Sequence, residues 1–147
     1  MKHDIKLKWL EALASGEYKQ NGGCLFSNDL DHNSDQPKRM CCLGVLTDLY
    51  IKSHPETSWI REEIDGAERY IPSFAFPLLV DGKPLSEYEK NKAYYLHPLV
   101  STWSGVEERG SLNLEGLSSD LSTMNDSSHG DGVRDYSYII PIISEFL

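Results

Sequence analysis

The sequence predicts an α+β fold: a compact single domain with about four or five helices around a central helix and a small antiparallel hairpin. Apolar residues recur at helical spacing through 41–51, which is typical of a helix covered on more than one side. Two short extended pieces flank Asn21-Gly22, a strong hairpin signal, at 17–27. With 147 residues and 39% hydrophobic residues, the chain can bury one core. An all-helical fold with 17–27 as an ordered loop is the alternative.

A first helix is predicted from apolar residues along one face, with Asp4 as its N-cap and Gly16 just past its end. That face consists of Ile5, Trp9, Leu10 and Leu13. The polar stretch 27–38 is expected to be an exposed loop. The central helix follows it and stops near Ser53, before Pro55. Because a helix dipole is positive at its N-terminus, Cys41 and Cys42 are expected at a positive end.

The second half of the chain shows weaker patterns, and 60–95 is the least clear part. Up to residue 95 we predict a strand at 69–71 closed by Pro72, an edge strand or irregular segment at 74–80, and a helix at 86–95. A short helix at 97–104 is expected to bury Leu99, Val100 and Trp103. A helical stripe of Leu114, Leu117, Leu121 and Met124 follows, and a C-terminal helix is predicted within 136–147. Pro141 must kink that last helix or lie in its first turn.

Charge and cysteine content narrow the function classes. The formal net charge of −9 argues against non-specific nucleic-acid binding, which depends on Lys and Arg. No apolar stretch approaches the roughly 20 residues of a membrane span, and the N-terminus leads into an amphipathic pattern rather than a signal peptide. Three cysteines, two of them adjacent, favour free thiols in a reducing cytoplasm. Their spacing does not suit zinc, no phosphate-loop motif occurs, and we predict no metal or cofactor.

Several motifs together resemble a family of short bacteriophage and prophage proteins. The matching residues are Lys8-Trp9, Ala12-Leu13, Ser15-Gly16-Glu17-Tyr18-Lys19-Gln20, Cys41-Cys42-Leu43-Gly44-Val45-Leu46, Leu96-His97-Pro98, Trp103-Ser104-Gly105-Val106, Met124-Asn125-Asp126 and Tyr136 with Ile139, Ile140 and Ile143. The sequence departs from the family at 127–132 and Pro141, and 60–95 matches none of it. The resemblance implies a phage protein acting in the host bacterial cytoplasm, with no established activity. By analogy with other small phage proteins, we expect a non-catalytic protein that sequesters a nucleotide-derived immune signal.

For this function, the candidate ligand-binding residues are Tyr18, Lys19, Gln20, Arg39, Cys41, Trp103, Asn125 and Asp126. Arg39 and the start of the central helix would bind the phosphate of a small anionic nucleotide. Tyr18 would stack on the base, and Gln20 and Asn125 would read its edge. Structural interpretations remain open, since Asn125-Asp126 suits a helix end and Trp103 suits the core. The net negative charge opposes binding, so a homo-oligomer could supply a locally positive pocket.

Two other function classes remain possible. Cys42-Leu43-Gly44-Val45-Leu46 resembles the start of the papain-like site in cell-wall peptidases, which would make Cys42 a hydrolase nucleophile. Its histidine partner would have to be one of His3, His32, His54, His97 and His129. Because free cysteine is among the most buried residue types, we predict instead that Cys42 is buried and structural. The third class is a protein–protein antagonist of a host enzyme.

Overall fold

The computed structural model describes residues 1–27, 38–64, 66–74, 79–80, 83–84, 92–107, 109–114, 117–127 and 135–147. Within these residues five helices accompany small two- and three-stranded sheets, which confirms the predicted α+β class. The helices are α1 (His3–Ala14), α2 (Cys42–Ser53), α3 (Pro98–Ser104), α4 (Leu121–Ser127) and α5 (Ile139–Phe146). The strands are β1 (Tyr18–Gln20), β2 (Phe26–Ser27), β3 (Lys38–Met40), β4 (Trp59–Ile64), β5 (Ala67–Pro72), β6 (Leu79–Val80), β7 (Lys83–Pro84), β8 (Ser111–Leu114) and β9 (Leu117–Asp120).

The predicted central helix is α2, and its first seven residues are all buried. It contacts α1, α3, α4 and β3, so its apolar faces are covered on several sides. Gly44 allows its first turn to approach the residue before β2, because a Cβ at this position would collide with the carbonyl oxygen of Leu25. The Trp9 indole of α1 donates to the carbonyl oxygen of Cys42 over 3.0 Å. The start of α2 is therefore enclosed by α1 on one side and by the segment before β2 on the other.

The predicted hairpin at 17–27 is wrong in its pairing. β3 lies between β1 and β2, parallel to β1 and antiparallel to β2. Met40 is the partner of both Gln20 and Phe26, and its carbonyl oxygen also accepts the Asn21 backbone amide. The chain turns at 21–23 as the sequence indicates, but β1 and β2 do not pair with each other. β3, which follows the polar stretch, forms the backbone hydrogen bonds of both strands. Of the loop expected at 27–38, only the two ends are among the described residues, and they belong to β2 and β3.

Some local predictions are confirmed and some are wrong. The strand at 69–71 is part of β5, which pairs with β4 in an antiparallel hairpin. Phe26 stacks on Tyr70 of that hairpin at 4.4 Å and docks it against the core. Lys2, not Asp4, is the N-cap of α1, while Gly16 follows its end at φ +77° as expected. Pro141 lies in the first turn of α5, where its missing amide costs no helical hydrogen bond.

The helical stripe predicted across 114–124 is wrong, because 111–120 form the β8–β9 hairpin and α4 begins only at Leu121. Leu112 and Leu114 alternate with polar residues, a period-two pattern that competes with the helical one. In α3, Val100 is buried and Trp103 partly buried, but Leu99 is 48% exposed, contrary to prediction. Of the helix predicted at 86–95, residues 86–91 lie outside the described residues. Residues 92–94 form a turn and Tyr95 a bend, so no helix is present at 92–95. Of 74–80, residues 75–78 also lie outside them, and 79–80 form β6.

Among the described residues, no helix combines the length and the apolar character that crossing a membrane requires.

Candidate functional site

An amide network closes the start of α2. The Asn125 side-chain oxygen accepts the Cys42 backbone amide at 3.1 Å and Gln20 Nε2 at 3.3 Å. Asn125 Nδ2 donates to the carbonyl oxygen of Asn21 at 2.7 Å. Gln20 and Asn125 are 1% and 0% exposed, respectively. The structure thus brings together two predicted site residues, but their amides join parts of the protein to each other.

Two other amides at the start of α2 are also hydrogen-bonded. Cys41 is the N-cap, and its Sγ accepts the Gly44 amide at 3.3 Å. Its carbonyl oxygen accepts the Val45 amide, the first bond of the helical ladder. The amides of Cys42, Gly44 and Val45 thus already have acceptors within the protein, and phosphate binding at this helix end stays a prediction. Arg39 is half-buried in β3, opposite Lys19 of β1 and Ser27 of β2.

A cavity of about 130 Å³ lies beside this network. Cys24, Cys41, Tyr94, Tyr95, Ser122 and Asp126 line it, so it includes two predicted site residues, Cys41 and Asp126. Asp126 Oδ1 accepts the Gly23 amide at 3.0 Å and Asn125 Nδ2 at 3.3 Å. The cavity wall is thus one hydrogen bond from the network at the start of α2, and we take it as the candidate site.

Two arginines that sequence reasoning missed lie next to the lining residues. The Arg109 guanidinium lies 4.5 Å from the centre of the Tyr95 ring, a cation–π contact. Arg69 is close enough to Cys24 for its charge to act on the thiol, and its Nε is buried without a hydrogen-bond partner among the described residues. No motif joins positions so far apart in the chain. The adjacent tyrosines 94 and 95 are the only sequence signal, and they fall in the segment that matched no pattern.

The thiols are neutral groups in covered positions. Burial raises the pKa of Cys41 to about 12 and the pKa of Cys42 well above its ordinary value. Burial also raises the pKa of Cys24, although a hydrogen bond from Asn21 and the charge of Arg69 oppose it. Cys42 is 0% exposed, and its Sγ lies 3.8 Å from the carbonyl oxygen of Leu121. The prediction that Cys42 is buried is confirmed, and its structural role stays a prediction.

Two of the described histidines, His54 and His97, have contacts away from Cys42. His97 caps α3 by accepting the Leu99 amide at Nδ1 over 3.1 Å, and burial lowers its pKa to about 4. His54 stacks on Tyr50 at 4.0 Å. His3 is exposed in α1, while His32 and His129 lie outside the described residues. Within the described part of the chain no histidine hydrogen-bonds Cys42.

The second half of α2 carries a different network, centred on Asp48. Its carboxylate accepts the Tyr18 hydroxyl at 2.7 Å and the Trp59 indole N–H at 2.8 Å. Lys38 and Lys52 lie 3.3 and 3.4 Å from its oxygens. Burial alone would raise the pKa of Asp48, but these hydrogen bonds and charges outweigh it, and the pKa is lowered. Asp48 is therefore a compensated buried carboxylate.

Six of the eight predicted site residues lie outside the cavity lining, among them Tyr18, Lys19 and Trp103. Tyr18 is 4% exposed, so its ring is packed in the core rather than available for stacking on a base. Burial and the neighbouring Asp48 carboxylate also raise the pKa of its hydroxyl. Lys19 is exposed in β1. Trp103 packs edge-on against Tyr50, with ring centres 5.4 Å apart. The roles of these three residues in ligand binding stay predictions. For Tyr18 to stack on a base, its ring would have to leave the core.

Comparison with known proteins leaves the chain within one family. A family model described as "Domain of unknown function (DUF8296)" matches residues 1–146. No curated protein and no solved structure matches the chain. The candidate site must therefore be interpreted from its own chemistry.

Proposed function

The chain belongs to the DUF8296 family, a domain of unknown function, and from its own residues we propose that it binds and sequesters a small nucleotide-derived signal without cleaving it. In this proposal it is a phage-encoded accessory protein that acts in the host cytoplasm. The signal is one that activates host immunity, so its capture would silence the defence.

The observation that supports the proposal is the pairing of aromatic and cationic groups at the cavity. Tyr94 and Tyr95 line it, Arg109 lies over the ring of Tyr95, and Arg69 is near Cys24. Aromatic side chains are the usual stacking partners of unpaired bases. Guanidinium groups bind phosphate in a bidentate manner. The two features needed for a nucleotide are therefore adjacent despite the net charge of −9.

Capture rather than cleavage is supported by the state of the thiols. Burial raises the pKa of Cys41, which faces the cavity, to about 12, so the thiol is protonated at neutral pH. A protonated thiol is a poor nucleophile because the thiolate is the reactive form. Cys42 is buried, hydrogen-bonds toward α4 and does not line the cavity.

The size of the cavity limits how much ligand it encloses. Pockets that bury a drug-sized ligand measure about 300–1,000 Å³, whereas this one measures about 130 Å³. One part of a nucleotide fits inside, and the rest lies across the surface or against a second copy of the chain. A homo-oligomer that completes the site is part of the proposal.

The experiment is a titration of purified protein with cyclic and ADP-ribose-derived nucleotides, followed by heat denaturation and analysis of the released ligand. We expect binding tighter than roughly millimolar, about −4 kcal/mol, and recovery of the nucleotide unchanged. Recovery of a cleaved nucleotide would favour the hydrolase class instead. If no nucleotide binds, sequestration is refuted and the protein–protein antagonist becomes the better hypothesis.

Three variants, each replacing one arginine with uncharged glutamine, locate the site. Arg109→Gln is expected to weaken binding about tenfold, the effect of losing one charge-assisted contact. Arg61→Gln, at an exposed position of β4, is the matched control and should bind like wild type. Arg39→Gln tests the sequence-predicted phosphate site. A loss confined to Arg39→Gln would place the ligand at β3 rather than at the cavity.

A further inference from the structure

We infer that the cavity receives the base of the nucleotide, that this base carries an exocyclic amine, and that the phosphate stays outside. This inference rests on the proposed function and assigns the orientation and class of its ligand. It differs from the sequence prediction, which placed phosphate at the start of α2.

The charge of the lining excludes phosphate from the interior. Among the six lining side chains named above, Asp126 is the one with a formal charge, and that charge is negative. The thiols of Cys24 and Cys41 are neutral, because burial raises the pKa of both. A phosphate placed among them would lie against the exposed Asp126 carboxylate, and like charges repel. A neutral base meets no such penalty.

The Asp126 carboxylate is oriented as an acceptor. Its Oδ1 is fixed by two donors, the Gly23 amide at 3.0 Å and Asn125 Nδ2 at 3.3 Å. The described residues supply no hydrogen bond to Oδ2. A carboxylate held at one oxygen presents the other in a set direction and selects a ligand with an N–H donor. Amino groups of guanine, adenine and cytosine are such donors, and aspartate is a known acceptor for a base amine.

One cation, Arg109, lies on the exposed side of the cavity wall, where the phosphate would emerge. Arg109 is exposed and covers the Tyr95 ring at the cavity wall. A base that enters beside Tyr94 and Tyr95 with its amine toward Asp126 leaves its sugar and phosphate pointing outward. Arg109 can then bind the phosphate without leaving solvent. The volume of about 130 Å³ suits a single ring system better than a whole nucleotide.

The test compares nucleotides that differ only in the amine. Guanosine 5′-monophosphate is titrated against inosine 5′-monophosphate, and adenosine 5′-monophosphate against purine riboside 5′-monophosphate. We expect the amine-bearing member of each pair to bind about tenfold more tightly, because its absence leaves the carboxylate unpaired. Spermidine is the cation control. If it binds in place of the nucleotides, the acceptor serves an ammonium group and the inference is overturned.

The variant Asp126→Asn sharpens the test. It keeps an acceptor for Gly23 and replaces the outward oxygen with a donor, so both members of each pair should bind equally. Asp4→Asn, an exposed change in α1, is the matched control and should keep the preference. Thermal melting verifies that both variants are folded.

The outcomes separate the two proposals. Nucleotide binding without any amine preference in the wild type overturns this inference and leaves sequestration standing. An amine preference that survives in Asp126→Asn also overturns it, because another group must then read the base. Failure of every nucleotide to bind overturns both.

Discussion

The first and second halves of α2 are held by buried polar contacts of different kinds. At its start, Asn125 accepts the amide of Cys42, a residue 83 positions away in the chain, and the groups involved are uncharged. In its second half, Asp48 is a buried carboxylate balanced by Lys38 and Lys52, whose side chains are 43% and 45% exposed. Water can rehydrate the lysines if the pairing is lost, but not the amides around Asn125. We therefore expect the first network to dominate stability and the second to carry acid sensitivity.

The largest effect is expected at the start of α2, from Gly44→Ala. The added Cβ would collide with the Leu25 carbonyl oxygen, so the helix and the segment before β2 must move apart. We expect a loss of more than about 4 kcal/mol in the free energy of unfolding, measured by urea denaturation. Gly16→Ala is the control: it is strained at φ +77° but has open space, and should cost about 1 kcal/mol. Equal costs for the two would contradict the close approach.

Asn125→Ala removes the centre of the amide network. It removes the side-chain partner of the Cys42 amide and of the Asn21 carbonyl, while Gln20 Nε2 keeps the backbone carbonyl of residue 125, so we expect a loss of about 3 kcal/mol in urea denaturation. Asp126→Asn, one residue along α4, serves as the control and should lie within about 0.5 kcal/mol of wild type. A loss below about 1 kcal/mol for Asn125→Ala would show that water replaces these contacts.

Asp48→Asn tests the charged half by its pH dependence. The pKa of Asp48 is lowered in the folded protein, so its stabilising effect is present above its ordinary pKa and is lost as the pH falls through the lowered value. We expect a cost of about 1–2 kcal/mol at neutral pH and a flatter loss of stability below about pH 4 than in wild type. Unfolding free energies measured from about pH 7 down to about pH 2 give the comparison.

His97 provides an internal reference for that measurement. Burial lowers its pKa to about 4, so its neutral form is favoured on folding. The stability it contributes is lost between its ordinary pKa of about 6.5 and its folded value, in wild type and variant alike. Only the difference between the two proteins below this range reports Asp48. Parallel curves there would mean that the carboxylate network has no net effect on acid sensitivity.

Cys42→Ala is expected to have the smallest effect. The thiol is fully buried beside Leu121, and its removal leaves a small void, for which we expect about 1–2 kcal/mol in urea denaturation. Nucleotide binding measured at low temperature should be unchanged, because Cys42 does not line the cavity. A folded variant that had lost all activity would instead support the hydrolase class.

The regularly spaced parts of the chain were predictable because their signals are local. The faces of α1 and α2, the glycine after α1 and the position of Pro141 depend on residues within a few positions of each other. The α+β class follows from such signals. The meeting of Gln20 and Asn125 was also anticipated, because both were expected at the edge of one base, although their contact joins the chain to itself.

Tertiary structure alone decided the strand order and the composition of the site. β3 lies between β1 and β2. Every non-proline residue offers the same backbone N–H and C=O groups, so a strand from a distant part of the chain can pair with β1 and β2 as well as these two could pair with each other. Arg109 contacts the ring of Tyr95, and no short-range spacing pattern in the sequence relates these two residues. What the sequence determined, through short-range spacing, is the position of α1 and α2. The position of charge around the cavity depends on how those elements pack, which no local pattern specifies.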